Sequence, residues 1–186
     1  FSGYAEMLKH GLISNTAHWA ELLNFNTSDI DYTALKQLVG RSVQVKEDIV
    51  EQDPFEHGIR KALNLGHTVG HAFESMALAE NRPVLHGYAV AWGIVCELYL
   101  SHLKVGFPKE KMRQTIQFIK DNYGVFTFDC KKYEQLYAFM THDKKNTSGT
   151  INFTLLKDIG DIRINQIADK DTIFEMLDFY RECMGI

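Results

Sequence analysis

Residues 86–105 carry Tyr88, Ala89, Val90, Ala91, Trp92, Ile94, Val95, Leu98 and Leu100 with almost no polar face. A helix that is apolar nearly all round belongs in an interior, so other elements of this chain must wrap around the segment. They are legible as further helices, because only three prolines interrupt the chain. Asp31 is placed as an N-cap for a helix through Leu35, Leu38, Val45 and Ile49, which stops at Asp53-Pro54 because proline disfavours helical backbone in the residue before it. Residues 55–79 read as a second helix, and 86–105 as a third. Pro108 opens a fourth, ending at Gly124, and residues 131–141 form a fifth. Asp171 is placed to cap the last, through Phe174, Leu177 and Tyr180. Residues 150–156 and 161–167 are short, β-branched and separated by Lys157-Asp158-Ile159-Gly160, the pattern of a β-hairpin. The expected fold is mainly α: one multi-helical domain over residues 1–186 with a small strand pair, without internal repeat or linker.

Composition narrows the function classes. The chain has 186 residues, a formal net charge of −4 and 45% hydrophobic residues, enough to bury roughly 70% of the surface an unfolded chain exposes. No cluster of Lys and Arg offers a nucleic-acid footprint. The longest uncharged apolar run, residues 89–96, is far short of the ~20 residues that cross a bilayer. Three widely spaced cysteines suit reduced thiols in a cytosol, so a metal here would rely on His and carboxylate.

The chemistry concentrates in the second helix. Arg60, Asn64, His67, His71 and Glu74 recur at spacings of 4, 3, 4 and 3, which stacks them along one helical face. A solvated face is usually filled by Lys and Glu; this one has two histidines and an Asn, with Gly66 and Gly70 each costing ~1 kcal/mol against Ala. Glycines beside histidines imply that something approaches this helix closely. His67 and His71, four apart, can present two imidazoles to one metal ion. His86, at the head of the apolar helix, reads equally as a ligand, a cap or a satisfied core residue. Glu6, in a helical turn with Lys9 and His10, reads by itself as a surface carboxylate, Lys46 as a snorkelling lysine, and Asp143-Lys144-Lys145-Asn146 as a solvated turn. Lys9, Lys46, Arg60 and Lys144 or Lys145 gathered around a metal would suit a phosphorylated or carboxylated substrate. His18, His57 and His102 show no sequence partner and read as structural or exposed.

Several blocks occur in an order that resembles the 3-dehydroquinate synthase family. They are Gly3-Tyr4-Ala5-Glu6-Met7-Leu8-Lys9, the Ser42-Val43-x-x-Lys46 run to Asp53, and Arg60-x-x-x-Asn64-x-Gly66-His67-Thr68-x-Gly70-His71-Ala72-x-Glu74, followed by Leu85-His86-Gly87 and Asp143-Lys144-Lys145-Asn146. The resemblance covers essentially the whole chain and is to that enzyme's C-terminal, metal-binding half. A start on Phe1 rather than Met fits a fragment without the N-terminal NAD-binding domain.

The resemblance implies Zn2+, with Co2+ as an alternative, held by Glu6, His67 and His86. His71 then contacts substrate instead of metal. Arg60 and Asn64 join His71 near the substrate phosphate, and Lys9 and Lys46 bind its hydroxyls or carboxylate, with one lysine of Lys144-Lys145 completing the set. The implied reaction is a carbon–oxygen lyase step in the shikimate route. 3-Deoxy-D-arabino-heptulosonate 7-phosphate becomes 3-dehydroquinate with loss of phosphate, and NAD+ is used and returned. The resemblance also implies a cytoplasmic homodimer in the full-length enzyme and an isolated half that does not turn over. Other readings are a related sugar-phosphate cyclase, a polyol dehydrogenase of the glycerol dehydrogenase type, and a non-catalytic helical module. The dehydrogenases typically use Asp with their histidines, so Glu6 and the Asp143-Lys144-Lys145 block favour the synthase.

Overall fold

A computed structural model describes residues 1–56, 58–142 and 151–186. The described residues form helices α1 (Ser2–Ser14), α2 (Thr16–Asn24), α3 (Tyr32–Gln52), α4 (His67–Ala79), α5 (His86–Val105), α6 (Lys109–Tyr123), α7 (Tyr133–Thr141) and α8 (Lys170–Met184). One antiparallel hairpin, β1 (Ile151–Asp158) and β2 (Asp161–Ala168), lies between α7 and α8. The mainly helical fold with a small strand pair is as the sequence indicates. No helix among the described residues is long and apolar enough to cross a membrane.

Helix α5 is the central element. From Gly87 to Ser101 only Tyr88 and Tyr99 are not fully buried, and α1, α4, α6, α8 and β1 all pack on it. Strand β1 is buried on both faces across Phe153, Thr154, Leu155 and Leu156, whereas β2 alternates, with Arg163, Asn165 and Ile167 outward. The hairpin thus lays one strand on α5 and leaves the other at the rim.

The capping chemistry of α3 follows the sequence reading, with the Asp31 carboxylate accepting from the Thr33 and Ala34 amides. At α8 the cap is Asp169 and not Asp171: Asp169 accepts from the Thr172 amide, and Asp171 falls inside the first turn, where its charge favours the helix N-terminus. The fifth helix begins with a 3-10 turn at Cys130–Lys132 before α7.

The larger correction concerns residues 55–79. They do not form one helix. A 3-10 turn spans Ile59–Asn64, and Gly66 then adopts φ 82°, a left-handed conformation that resets the chain before α4 begins at His67. Arg60 and Asn64 are therefore not continuous with the His67 face.

Helix α1 is anchored at both ends. The Tyr123 hydroxyl donates to the Phe1 carbonyl at 2.6 Å, and the Gly87 amide donates to Ser2 Oγ at 2.9 Å. At the other end the Gly160 amide, in the hairpin turn, donates to the Leu12 carbonyl at 2.9 Å.

Candidate metal centre

Two close backbone contacts build the site. A Cβ on Gly93 of α5 would lie 2.1 Å from the Gly66 carbonyl oxygen and 2.7 Å from the Gly70 amide nitrogen, so α4 and α5 meet backbone to backbone. The glycines flanking the histidines therefore admit a neighbouring helix. At the head of α5, a Cβ on Gly87 would lie 2.1 Å from the Ser2 carbonyl oxygen, which seats the first turn of α1 on the first turn of α5. Glu6 on α1, His67 on α4 and His86 on α5 converge as a result.

The start of α4 is held by a residue that sequence reasoning missed. Glu97, fully buried in α5, accepts from the Gly66 amide at 3.0 Å and the Val69 amide at 3.1 Å. It caps from another helix the free amides that begin α4. A carboxylate inside an otherwise apolar helix was the available signal.

Glu6, His67 and His86 each offer one ligand atom, and these atoms lie within 4.8 Å of one another. Glu6 Oε1 is 3.6 Å from His67 Nε2 and 3.7 Å from His86 Nε2. Donors at 2.0–2.1 Å in tetrahedral array stand about 3.4 Å apart, so this spacing is near what one small divalent cation requires. Both remaining ring nitrogens are engaged. His67 Nδ1 donates to the Leu65 carbonyl at 3.1 Å, and His86 Nδ1 faces the Glu74 carboxylate at 3.3–3.4 Å. That arrangement leaves both Nε2 lone pairs toward Glu6.

Electrostatics keep His67 and Glu6 in ligand form. Burial, then the adjacent Lys9 ammonium, pushes the His67 pKa down to about 4, so its ring is neutral at neutral pH. Burial would raise the Glu6 carboxyl, but the charge and hydrogen bond of Lys9, with His67 and His10, outweigh it and hold the group below its ordinary value. Lys9 is itself 4% exposed; it pairs with Glu6 Oε2 at 2.5 Å and donates to the Leu63 carbonyl at 2.9 Å. Two imidazoles with a carboxylate are a donor set suited to Zn2+ or Co2+.

The other expected site residues divide. His71 lies beside the cluster, its ring centroid 5.4 Å from that of His67 and 5.9 Å from that of His86, and it forms a second compact group with Glu74 and His86. Lys46 is exposed on α3 and borders a groove with Glu6, His10 and Ser42. His10, not singled out earlier, is buried there, bonded through Nδ1 to Ser42 Oγ, with burial pushing its pKa down to about 4. Arg60 turns to the Pro54 carbonyl at 2.6 Å, and Asn64 lines a separate polar pocket with Lys61, Thr68 and Asn152. Lys144 and Lys145 lie outside the described residues, as does His57. His102 has a partner after all, the Phe107 carbonyl at 2.8 Å, and His18 is buried at 4% exposure.

Fold and site together define a helical domain built around a two-histidine, one-carboxylate cluster of the kind that holds a divalent cation. The family model described as 3-dehydroquinate synthase C-terminal matches residues 3–146. The chain belongs to that family.

The 3-dehydroquinate synthase of Parabacteroides distasonis is 60% identical over 185 residues, covering 100% of this chain and 52% of the relative. That of Leptospira interrogans is 41% identical over 170 residues, covering 88% and 46%. The chain thus spans about half the length of the curated relatives it matches. Among solved structures, a 2-epi-5-epi-valiolone synthase from Streptomyces hygroscopicus with NAD+ and Zn2+ bound superposes with a TM-score of 0.80 at 20% identity, over 97% of this chain and 51% of the other. A 2-deoxy-scyllo-inosose synthase complexed with carbaglucose-6-phosphate, NAD+ and Co2+ gives 0.75 at 20% identity, over 97% and 50%.

Proposed function

We propose that this chain supplies the metal- and substrate-binding half of a 3-dehydroquinate synthase. In this reading the enzyme converts 3-deoxy-D-arabino-heptulosonate 7-phosphate to 3-dehydroquinate and phosphate, with NAD+ bound mainly by the half of the relatives that this chain does not span. The observation that carries the reading is the convergence of Glu6, His67 and His86 beside the buried Lys9, in a chain 60% identical to a protein of that name.

Glu6, His67 and His86 would hold Zn2+ or Co2+, which would supply Lewis-acid polarisation of a substrate oxygen. Lys9 keeps Glu6 ionised and, at the edge of the cluster, offers an ammonium to a substrate hydroxyl or carboxylate. Lys46 reaches the same groove from α3. In this reading Arg60, released from the Pro54 carbonyl, and one lysine of Lys144-Lys145 neutralise the phosphate, and Asn64 orients it from the adjoining polar pocket. His71, beside the cluster without belonging to the Glu6 group, moves a proton near the leaving phosphate, with the phosphate itself able to act as base. The full-length protein works as a cytoplasmic homodimer in this reading.

The test joins this chain to the complementary half of the Parabacteroides distasonis relative and follows phosphate release and 3-dehydroquinate formation with NAD+ and Zn2+. Product is expected from the joined protein and not from the 186-residue chain alone. Glu6→Gln and His67→Ala should each abolish both turnover and stoichiometric cation uptake. A joined protein that cyclises a different sugar phosphate and leaves the heptulosonate untouched overturns the reading.

A further inference from the structure

The two imidazoles that face Glu6 are not held alike. His67 is 14% exposed in its side chain and is fixed by a backbone carbonyl, that of Leu65, which cannot move away. His86 is 47% exposed and stands at the first position of α5, after a Leu85 N-cap that makes no side-chain hydrogen bond. Ring packing on His67 and His71 alone does not choose which nitrogen of His86 points inward. A half-turn of the ring would put Cε1 where Nε2 stands, 3.7 Å from Glu6, and break the ligand set.

Glu74 makes that choice. It lies seven residues beyond His67 on α4, which returns it to nearly the same helical face about 10 Å further along the axis. From there both carboxylate oxygens reach His86 Nδ1, at 3.3 and 3.4 Å. Helix α4 therefore carries one imidazole of the cluster and the carboxylate that orients the other.

We propose that Glu74 is the positioning residue of the cation site, a latch on His86 that directs Nε2 at the metal and raises the ring's donor strength. This rests on the metal reading above and adds to it a residue outside the ligand set. The exposed His86 arm, unlike the buried His67 arm, is where a cation enters and leaves, so Glu74 governs how long it stays. A carboxylate that accepts from the far nitrogen of a metal-bound histidine makes the near nitrogen a stronger ligand, and loss of such a partner weakens metal binding about 10- to 100-fold.

The experiment titrates this chain with Co2+, followed by visible absorption, and with Zn2+ in competition with a chromophoric chelator. It uses wild type, Glu74→Gln and Glu74→Ala, each also melted without metal. Gln keeps an acceptor oxygen and loses the charge, so its affinity should fall about 10-fold, and Ala toward 100-fold. Stoichiometry should stay at one cation, the absorption band of the saturated Co2+ form should persist in both, and Glu74→Gln should melt like wild type when metal-free. Glu74→Gln binding within twofold of wild type overturns the latch while leaving the metal reading standing. A fall from two cations in wild type to one also overturns it, making Glu74 a ligand of a second ion with His71. So does a metal-free melting loss in Glu74→Gln large enough to account for the weaker binding. Wild type that takes up no cation sinks the latch and the metal reading together.

Discussion

Replacing Gly93 by Ala puts the α4–α5 crossing under direct test, because two effects of opposite sign meet at one residue. Gly93 lies in the interior of α5, where Ala is favoured over Gly by ~1 kcal/mol of helix propensity. On propensity alone the variant is more stable. The new Cβ, however, would stand 2.1 Å from the Gly66 carbonyl oxygen and 3.0 Å from Gly70 Cα, all backbone atoms that no side-chain rotation can clear. Ordinary contacts between carbon and carbonyl oxygen begin at about 3.3 Å, so the helices must part by about 1 Å. Overpacking of this kind costs ~1–3 kcal/mol, and a rigid backbone contact belongs at the upper end. Parting the helices also stretches the bonds from the Gly66 and Val69 amides to the buried Glu97 carboxylate, for a further ~1–2 kcal/mol. With propensity offset, the net loss is about 3–4 kcal/mol. For a chain of this length that lowers the melting temperature by roughly 6–16 °C. Thermal melts and urea midpoints of the metal-free chain measure it. A melting temperature equal to or above wild type would refute the claim that backbone contact at Gly93 sets the crossing.

Glu97→Gln should destabilise the chain by about 2 kcal/mol, because the carboxylate that accepts both amides gives way to an amide whose NH2 faces a donor; chemical denaturation reads this, and an unchanged midpoint contradicts the capping role. The metal-free chain should also lose stability as pH falls from about 6.5 toward about 4. Burial holds His10 and His67 near pKa 4 in the fold, so over that window the unfolded chain takes up protons that the folded chain does not. The depressed Glu6 carboxyl acts in the same direction at the acid end. Urea midpoints at pH 7 and pH 5 test the sign, and greater stability at pH 5 would count against neutral, buried imidazoles.

What the sequence made legible was whatever depends on local chemistry. The Asp31 cap, the Asp53-Pro54 stop, the Pro108 start, the all-apolar α5 and the hairpin around Gly160 are each decided within a few residues, and each is found in the structure. The break before α4 was hidden because its cause is not local: Gly66 turns left-handed where Glu97, thirty-one positions away, takes its amide. The choice of Asp169 over Asp171 was hidden for a different reason, since either aspartate satisfies the pattern and only the register of α8 separates them. In the site, the spacing of His67 and His71 suggested a shared metal. The fold instead groups His67 with Glu6 and His86 across three helices, while His71 falls with Glu74 and His86. The first grouping is the one the resemblance names as a ligand set. Glu74 stood in the sequence as the last member of a polar stripe, and nothing short of the α4–α5 crossing shows which ring it meets.

The anchoring of α1 bears on the order in which the chain acquires its properties. Glu6 is fixed only when Ser2 has found Gly87, Phe1 has found Tyr123 and Leu12 has found the hairpin turn at Gly160, contacts between residues far apart in the sequence, the first two separated by 85 and 122 positions. Closing loops of that length costs entropy before any contact repays it, so such pairings form late in folding. The Glu6, His67 and His86 cluster is in this sense a property of the finished molecule. Helix α5 can gather α4, α6, α8 and β1 around itself without it. A bound ion that bridges α1, α4 and α5 would act chiefly on the rate at which the finished state comes apart, since it stabilises a contact that forms late.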